Sequence, residues 1–381
     1  MRHEDILIDR KIIGSSKVFV IAEIGINHDG SLNQARRLID AAAECGADAV
    51  KFQTFRADRL MVPSRDRLAQ QGEGGESAYQ LFRRLELSWE DYEKLKQHAD
   101  ECDVAYLSTP FDEESADFLD NLGVPAFKIA SADVNHFPLL SHVGSKGKPV
   151  LLSTGMSYLN EITEAVWTLK SSGTKEIILL HCVSSYPAPP ESLNLRAIQT
   201  LDDYFDLPVG FSDHTSGILL APVAVAMGAT LIEKHFTLDK RADGPDHKLS
   251  LNPEEFKLLI QNLRDVETSF GDGRKRPAEC EEENRLLSRR SIVAAVDIRA
   301  YESISPWMLA IKRPGTGLEP RHLQKVIGMK ARHNISKDTV LQWEDLTPLV
   351  SLEGVFEAHD IGHRSGADPS LQTIPVGKSH A

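Results

Sequence analysis

Between residues 18 and 236 two hydrophobic textures alternate along the chain. Short β-branched runs occupy 18–25, 48–53, 105–110, 126–131, 149–154, 176–182, 208–213 and 230–236, and predict strands. Between them lie stretches with helical spacing. In 32–45, Leu32, Ala35, Leu38, Ile39 and Ala42 recur three and four residues apart, and 89–102, 161–169 and 218–227 read likewise. Strand–helix alternation implies a parallel sheet, and eight such units are the count of a (β/α)₈ TIM barrel. An open doubly wound sheet is the alternative topology. A closing helix is predicted at 253–270.

Beyond that helix the texture changes. Glycine and charge dominate 271–289, which reads as a linker after a barrel domain spanning 1–270. Short pieces at 291–297, 308–313 and 324–327, with turn signals at Pro306, Pro314-Gly315 and Gly328, predict a small second domain over 290–350. The last stretch, 351–381, mixes Gly, His, Ser and Pro without periodicity and reads as a flexible tail.

Charge and cysteine content narrow the classes. A formal net charge of −13 argues against nucleic acid as a partner, although a few lysines in a cleft can still attract an anionic small molecule. No apolar run is long enough to span a bilayer, and the charged start (Arg2, His3, Glu4, Asp5) carries no export signal. Cys45, Cys102, Cys182 and Cys280 are scattered, without zinc-type spacing. The expectation is a cytoplasmic protein in a reducing compartment.

In such a barrel chemistry sits at the C-terminal ends of the strands. Those ends carry Glu23, Lys51 and Gln53, Thr109, Lys128 and Ser131, Ser153, Ser212 and His214, and Glu233 with His235. Burying unpartnered charge is costly, so polar residues on nearly every strand favour a shared active site over a structural polar core. Lys51, Lys128, Gln53, Thr109, Ser131 and Ser153 are donors that suit a phosphate plus a carboxylate. His214 and His235, each beside an acid (Asp213, Glu233), suit a divalent metal with open positions; taken singly, each reads as a hydrogen-bonded core histidine. Glu23 could orient a water or relay a proton.

These residues stand in longer motifs. Phe19-Val20-Ile21-Ala22-Glu23-Ile24-Gly25-Ile26-Asn27-His28-Asp29-Gly30 resembles the opening signature of the sialic acid synthase family. Lys128-Ile129-Ala130-Ser131, Ser153-Thr154-Gly155-Met156, Gly210-Phe211-Ser212-Asp213-His214, Glu233-Lys234-His235-Phe236 and Gly244-Pro245-Asp246-His247 are similar to its later motifs. Ile311-Lys312-Arg313-Pro314-Gly315 resembles the core of its C-terminal antifreeze-like (SAF) domain. The resemblance covers residues 17–348 in the family's order, and the segment 108–115 leans toward the legionaminate and spore-coat branches. Ser184 and Asp133 depart from the Asn and Glu of some members.

The resemblance implies condensation of phosphoenolpyruvate with N-acetylmannosamine or a related acylated amino-hexose. It assigns the phosphoenolpyruvate to Lys51, Gln53, Thr109, Lys128, Ser131, Ser153 and Ser212. It assigns the sugar to Tyr186, Glu233 and Asp246, with Asp133 and Ser184 nearby. His214 and His235 would hold Mn²⁺, with Mg²⁺ or Co²⁺ as other candidates. A domain-swapped homodimer would bring Arg313 to the other copy's barrel mouth. Two rival functions remain: a synthase acting on a phosphorylated aldose, and a non-catalytic glycan-binding relative.

Overall fold

The eight predicted strands close into a barrel. The computed structural model describes residues 3–14, 17–63 and 77–347. Its barrel strands are β1 (Phe19–Gly25), β2 (Ala49–Thr54), β3 (Ala105–Pro110), β4 (Phe127–Ile129), β5 (Val150–Ser153), β6 (Ile177–Cys182), β7 (Val209–Asp213) and β8 (Leu231–His235). Each pairs in parallel with its neighbours, and β8 closes on β1 with Leu231 opposite Phe19 and His235 opposite Glu23. The doubly wound alternative is thereby excluded. β4 is shorter than the run 126–131 because Ser131–Asp133 turns into a 3₁₀ helix.

Period-two alternation divides every strand between two environments. Val20, Ala22, Val50, Phe52, Tyr106, Phe127, Leu152, Leu179, Phe211 and Ile232 point outward into the core shared with the helices. Phe19, Ile21, Ala49, Ala105, Leu107, Leu151, Ile178, Leu180 and Leu231 point inward and fill the lower barrel. The same phase, continued toward the C-terminal ends, turns Glu23, Lys51, Thr109, Lys128, Ser153, Ser212 and Glu233 inward above that apolar floor. Gly210 makes room there: a Cβ on it would stand 2.7 Å from Leu180 Cδ2 and 2.8 Å from the Leu231 carbonyl oxygen. A hairpin absent from the sequence reading, Ile6–Ile8 paired with Lys11–Ile13, buries Ile6, Ile8 and Ile13 against the floor residues.

The surrounding helices start where capping residues allow. Ser31 accepts from the Gln34 N–H to open Leu32–Glu44, and Ser88 accepts from the Asp91 N–H to open Trp89–Glu101. Asn252 and Glu255 form a reciprocal capping box for the closing helix Pro253–Ser269. None of the described helices is long and apolar enough to cross a membrane.

The chain divides into two compact units, at Gly273 and Arg274. In the second, Ser291–Ala294 pairs antiparallel with Leu309–Lys312, and Lys330–Ala331 with Leu346–Thr347. Its small core gathers Ile292, Ala294, Ile298, Ile304, Leu318, Val326, Ile335, Leu341 and Leu346. Two details differ from the sequence reading: the stretch taken as linker contains a helix, Glu282–Ser288, and 324–327 falls in a helical turn, Leu323–Val326. Helix formers (Glu282, Glu283, Arg285, Leu286, Leu287) outweigh the glycines, which end at Gly273. The tail 351–381 lies outside the described residues.

Candidate active site

At the C-terminal ends of the strands the barrel opens into a cavity of about 750 Å³. Fourteen of the residues singled out from sequence line it: Glu23, Lys51, Gln53, Thr109, Lys128, Ser131, Ser153, Ser184, Tyr186, Ser212, His214, Glu233, His235 and Asp246. Asp133 does not; it ends the 3₁₀ turn, with a buried carboxylate oxygen lacking a hydrogen-bond partner and burial pushing its carboxyl up to about 6. Arg313 is exposed in the second unit, at the end of Leu309–Lys312.

Two lysines and two carboxylates form the charged floor. Lys51 Nζ lies 2.5 Å from Glu23 Oε2 and 3.8 Å from Glu233 Oε2, and it donates to Thr109 Oγ1 at 3.3 Å. Lys128 Nζ stands 3.7 Å from Glu233 Oε1 and reaches the Ile129 carbonyl at 3.4 Å. Buried ammonium groups need short, well-aligned acceptors, and among the described residues Lys128 has only these long contacts. Burial therefore lowers its pKa, and Lys51 adds to the fall. For Lys51 burial acts in the same sense, but Glu23 and Glu233 outweigh it and the pKa rises.

The two carboxylates respond in opposite directions. Burial pushes Glu23 up to about 7, opposed by Lys51 and reinforced by Glu233. Burial would also raise Glu233, but Lys128, Lys51 and the Ser212 hydroxyl, which donates to Oε1 at 2.7 Å, hold it at about 2. One group is thus a fixed anion and the other exchanges its proton near neutrality, as acid–base chemistry requires. Gln53 donates to Glu23 Oε1 at a long 3.4 Å. Ser131 Oγ accepts from the Gly155 N–H at 3.0 Å and lies 3.1 Å from Cys182 Sγ, a thiol the sequence reading did not place here.

The histidines stand together on the adjoining wall. Their ring centroids are 5.5 Å apart, and Tyr186 lies against both, 4.3 Å from His214 and edge-on at 6.0 Å from His235. Burial lowers the pKa of each, well below the usual value for His235, where His214 and Lys51 add to the effect. His214 Nδ1 lies 2.8 Å from the Val183 carbonyl, which fixes Nδ1 as the donor and leaves Nε2 as the acceptor, 3.5 Å from Ser212 Oγ. His235 Nδ1 is buried without a hydrogen-bond partner, 3.7 Å from Asp246.

The acid beside His214 has another task. Asp213 and Lys234 alternate with inward residues, so both point out of the barrel, where their ion pair closes at 2.8 Å in full burial. Lys234 also donates to the Thr215 carbonyl at 2.6 Å, and Thr215 donates twice to Asp213. This staple clamps β7 and β8 beside His214 and His235. The signature residues Asn27 and Asp29 work similarly. Asn27 donates to the Phe236 carbonyl and Ser250 Oγ, both at 2.9 Å, while Asp29 meets His247 at 3.1 Å, and Ser250 donates to the Asp246 carbonyl at 2.6 Å. They fix the loop that carries Asp246. An apolar wall of Ile26, Leu60, Met61, Phe82, Phe111 and Met156 completes the cavity; isolated apolar residues in loops carry no periodicity by which sequence could have found them.

A closed eight-stranded parallel barrel with a cavity at its strand ends holding two buried lysines, followed by a small β-rich unit, defines a (β/α)₈-barrel protein with its site in the usual place. The chain matches the NeuB family over residues 38–275 and the SAF domain over residues 289–347. It belongs to the NeuB family. It is 45% identical over 351 residues to the N,N'-diacetyllegionaminic acid synthase of Legionella pneumophila, covering 89% of this chain and 99% of that protein. To the Campylobacter jejuni protein of the same name it is 43% identical over 331 residues, covering 86% and 99%. The crystal structure of an N-acetylneuraminic acid synthetase from Leptospira borgpetersenii superposes with a TM-score of 0.67 at 36% identity, covering 74% of this chain and 95% of that one. These relatives support a nonulosonic acid synthase.

Proposed function

We propose that the chain joins C3 of phosphoenolpyruvate to the aldehyde carbon of an open-chain acetamido-hexose. Water adds at C2, and the tetrahedral intermediate releases phosphate by C–O cleavage, giving a nine-carbon acid. The observation that carries this reading is the pair of buried ammonium groups, Lys51 and Lys128, facing one cavity with the hydroxyls of Thr109, Ser131, Ser153 and Ser212. A dianionic phosphate beside a carboxylate would give Lys128 the short acceptors it lacks, and oriented donors would stabilise charge as phosphate departs. Glu23, poised near neutrality beside Gln53, takes the proton from the water that adds at C2.

Tyr186, Asp246 and Glu233 border the remaining space and would hold the sugar. The His214–His235 wall fits a divalent cation such as Mn²⁺, Mg²⁺ or Co²⁺: burial disfavours the charged form of both rings, and His235 Nδ1 is an orphaned buried atom among the described residues. When bound there, the ion would supply Lewis-acid polarisation of the aldehyde oxygen. The exposed Arg313, suited by its planar fork to a carboxylate or amide edge, is the candidate contribution of a second copy in a homodimer.

The test is phosphate release from phosphoenolpyruvate across a panel of sugars, with the product mass read in parallel. Release that requires an unphosphorylated acetamido-hexose, with a product whose mass is that of phosphoenolpyruvate, the sugar and one water less phosphoric acid, is expected. Release without sugar, or only with a phosphorylated aldose, overturns the reading.

A further inference from the structure

We propose that Asp40, His98 and Cys102 form a second metal site, for zinc or a similarly thiophilic divalent ion, on the outer face of the barrel unit. The residues come from two neighbouring helices, Leu32–Glu44 and Trp89–Glu101. His98 and Cys102 are four residues apart, so the helical period places both on one face. Cys102 is the cap residue, its N–H bonded to the His98 carbonyl at 3.1 Å, which carries the helical path through to the thiol. Asp40 approaches from the other helix.

The three donor atoms lie within 4.8 Å of one another, and no other such trio of His, Cys, Asp or Glu occurs among the described residues. His98 Nε2 is 2.7 Å from Asp40 Oδ1, while Cys102 Sγ is 3.5 Å from that oxygen and 3.9 Å from Nε2. A tetrahedral zinc centre with ordinary bond lengths requires about 3.6 Å from sulfur to either partner and about 3.4 Å from nitrogen to oxygen. Two edges are within a few tenths of an ångström of that figure. The third opens by a rotation of Asp40, whose side chain is 49% exposed and free to make it.

The surroundings suit a cation. The charges felt at Cys102 are the carboxylates of Asp40 and Glu101, and Glu101 stands 3.9 Å from His98 Nδ1, the side from which carboxylates orient metal-bound imidazoles. A thiolate beside an imidazole and a carboxylate selects zinc or cadmium over magnesium or manganese, and the thiolate distinguishes this site from the histidine wall of the cavity. On binding, the thiol proton passes to solvent, the sulfur bonds the ion, and a fourth position stays open to water. The ion would tie the helix that follows β1 to the helix that precedes β3. The bland alternative is a plain His98–Asp40 hydrogen bond with Cys102 as a bystander.

Cadmium added to the full-length protein separates the two. We expect a thiolate-to-cadmium charge-transfer band in the near ultraviolet that saturates at one equivalent of thiolate sites. It should persist in His235→Ala and in Cys182→Ser, and vanish in Cys102→Ser. Asp40→Asn, which leaves the thiol in place, should keep the band but bind at least about tenfold more weakly, since even outer-shell partners contribute that much. Zinc should raise the melting temperature of His235→Ala but not of the double variant His235→Ala with Cys102→Ser, in which the cavity histidine pair is broken as well. Absence of the band in wild type, its survival in Cys102→Ser, its loss in Cys182→Ser, or unchanged affinity in Asp40→Asn each overturns the site.

Discussion

Replacing Glu23 by Gln keeps the size of the side chain and an acceptor for Lys51, but removes the capacity to take a proton. Glu23 is 2% exposed, and burial holds its carboxyl at about 7 although Lys51 lies only 2.5 Å away. With that value the ionised form makes up about one tenth of the molecules at pH 6, about half at pH 7 and about nine tenths at pH 8. A reaction in which ionised Glu23 takes a proton from water therefore slows about tenfold for each pH unit below neutrality. In Glu23→Gln this limb disappears, and the rate left above neutrality is roughly 10²- to 10⁴-fold lower, the usual contribution of a positioned base. The readout is kcat/KM for phosphoenolpyruvate, which follows the free enzyme, measured by phosphate release on both sides of pH 7. Ionisation of the substrate affects both proteins alike, so the limb present in one and absent in the other belongs to Glu23. A variant within about threefold of wild type, or one with the same acid limb, refutes the assignment.

Lys128→Met removes a charge-assisted contact worth about 1.5–3 kcal/mol, so KM for phosphoenolpyruvate should rise about 10- to 150-fold while KM for the sugar stays put in steady-state kinetics. Lys234→Met strands the buried Asp213 carboxylate and should lower unfolding free energy by about 3–5 kcal/mol in urea melts; Asp213→Asn combined with it should recover part of that loss. After loading with manganese, His235→Ala should fold normally, retain less manganese on dialysis than wild type by elemental analysis, and lose metal-dependent turnover.

The barrel was legible because eight β-branched runs, separated by helical spacing, leave a closed parallel sheet as the natural arrangement. The cavity was legible because strand ends are where polar residues have no packing reason to be. Sequence alone could not tell which way each polar residue faces. Asp213 and Glu233 both flank a histidine, yet alternation turns Asp213 outward to Lys234 and Glu233 inward between two lysines. The opposite pKa shifts of Glu23 and Glu233 depend on distances across the barrel, which no local pattern contains. The N-terminal hairpin escaped notice because strands of three residues are too short to show a period. Cys102 read as an isolated cysteine because its partners, His98 and Asp40, carry no pairing of thiols.

The central claim is that the enol carbon forms the new bond while phosphate departs with the bridging oxygen. It is tested most directly with phosphoenolpyruvate carrying an oxygen isotope in its C–O–P bridge, turned over with an acetamido-hexose. Cleavage of the C–O bond predicts that all of the label is found in released phosphate and none in the nine-carbon product. Label retained in the sugar acid would contradict the account.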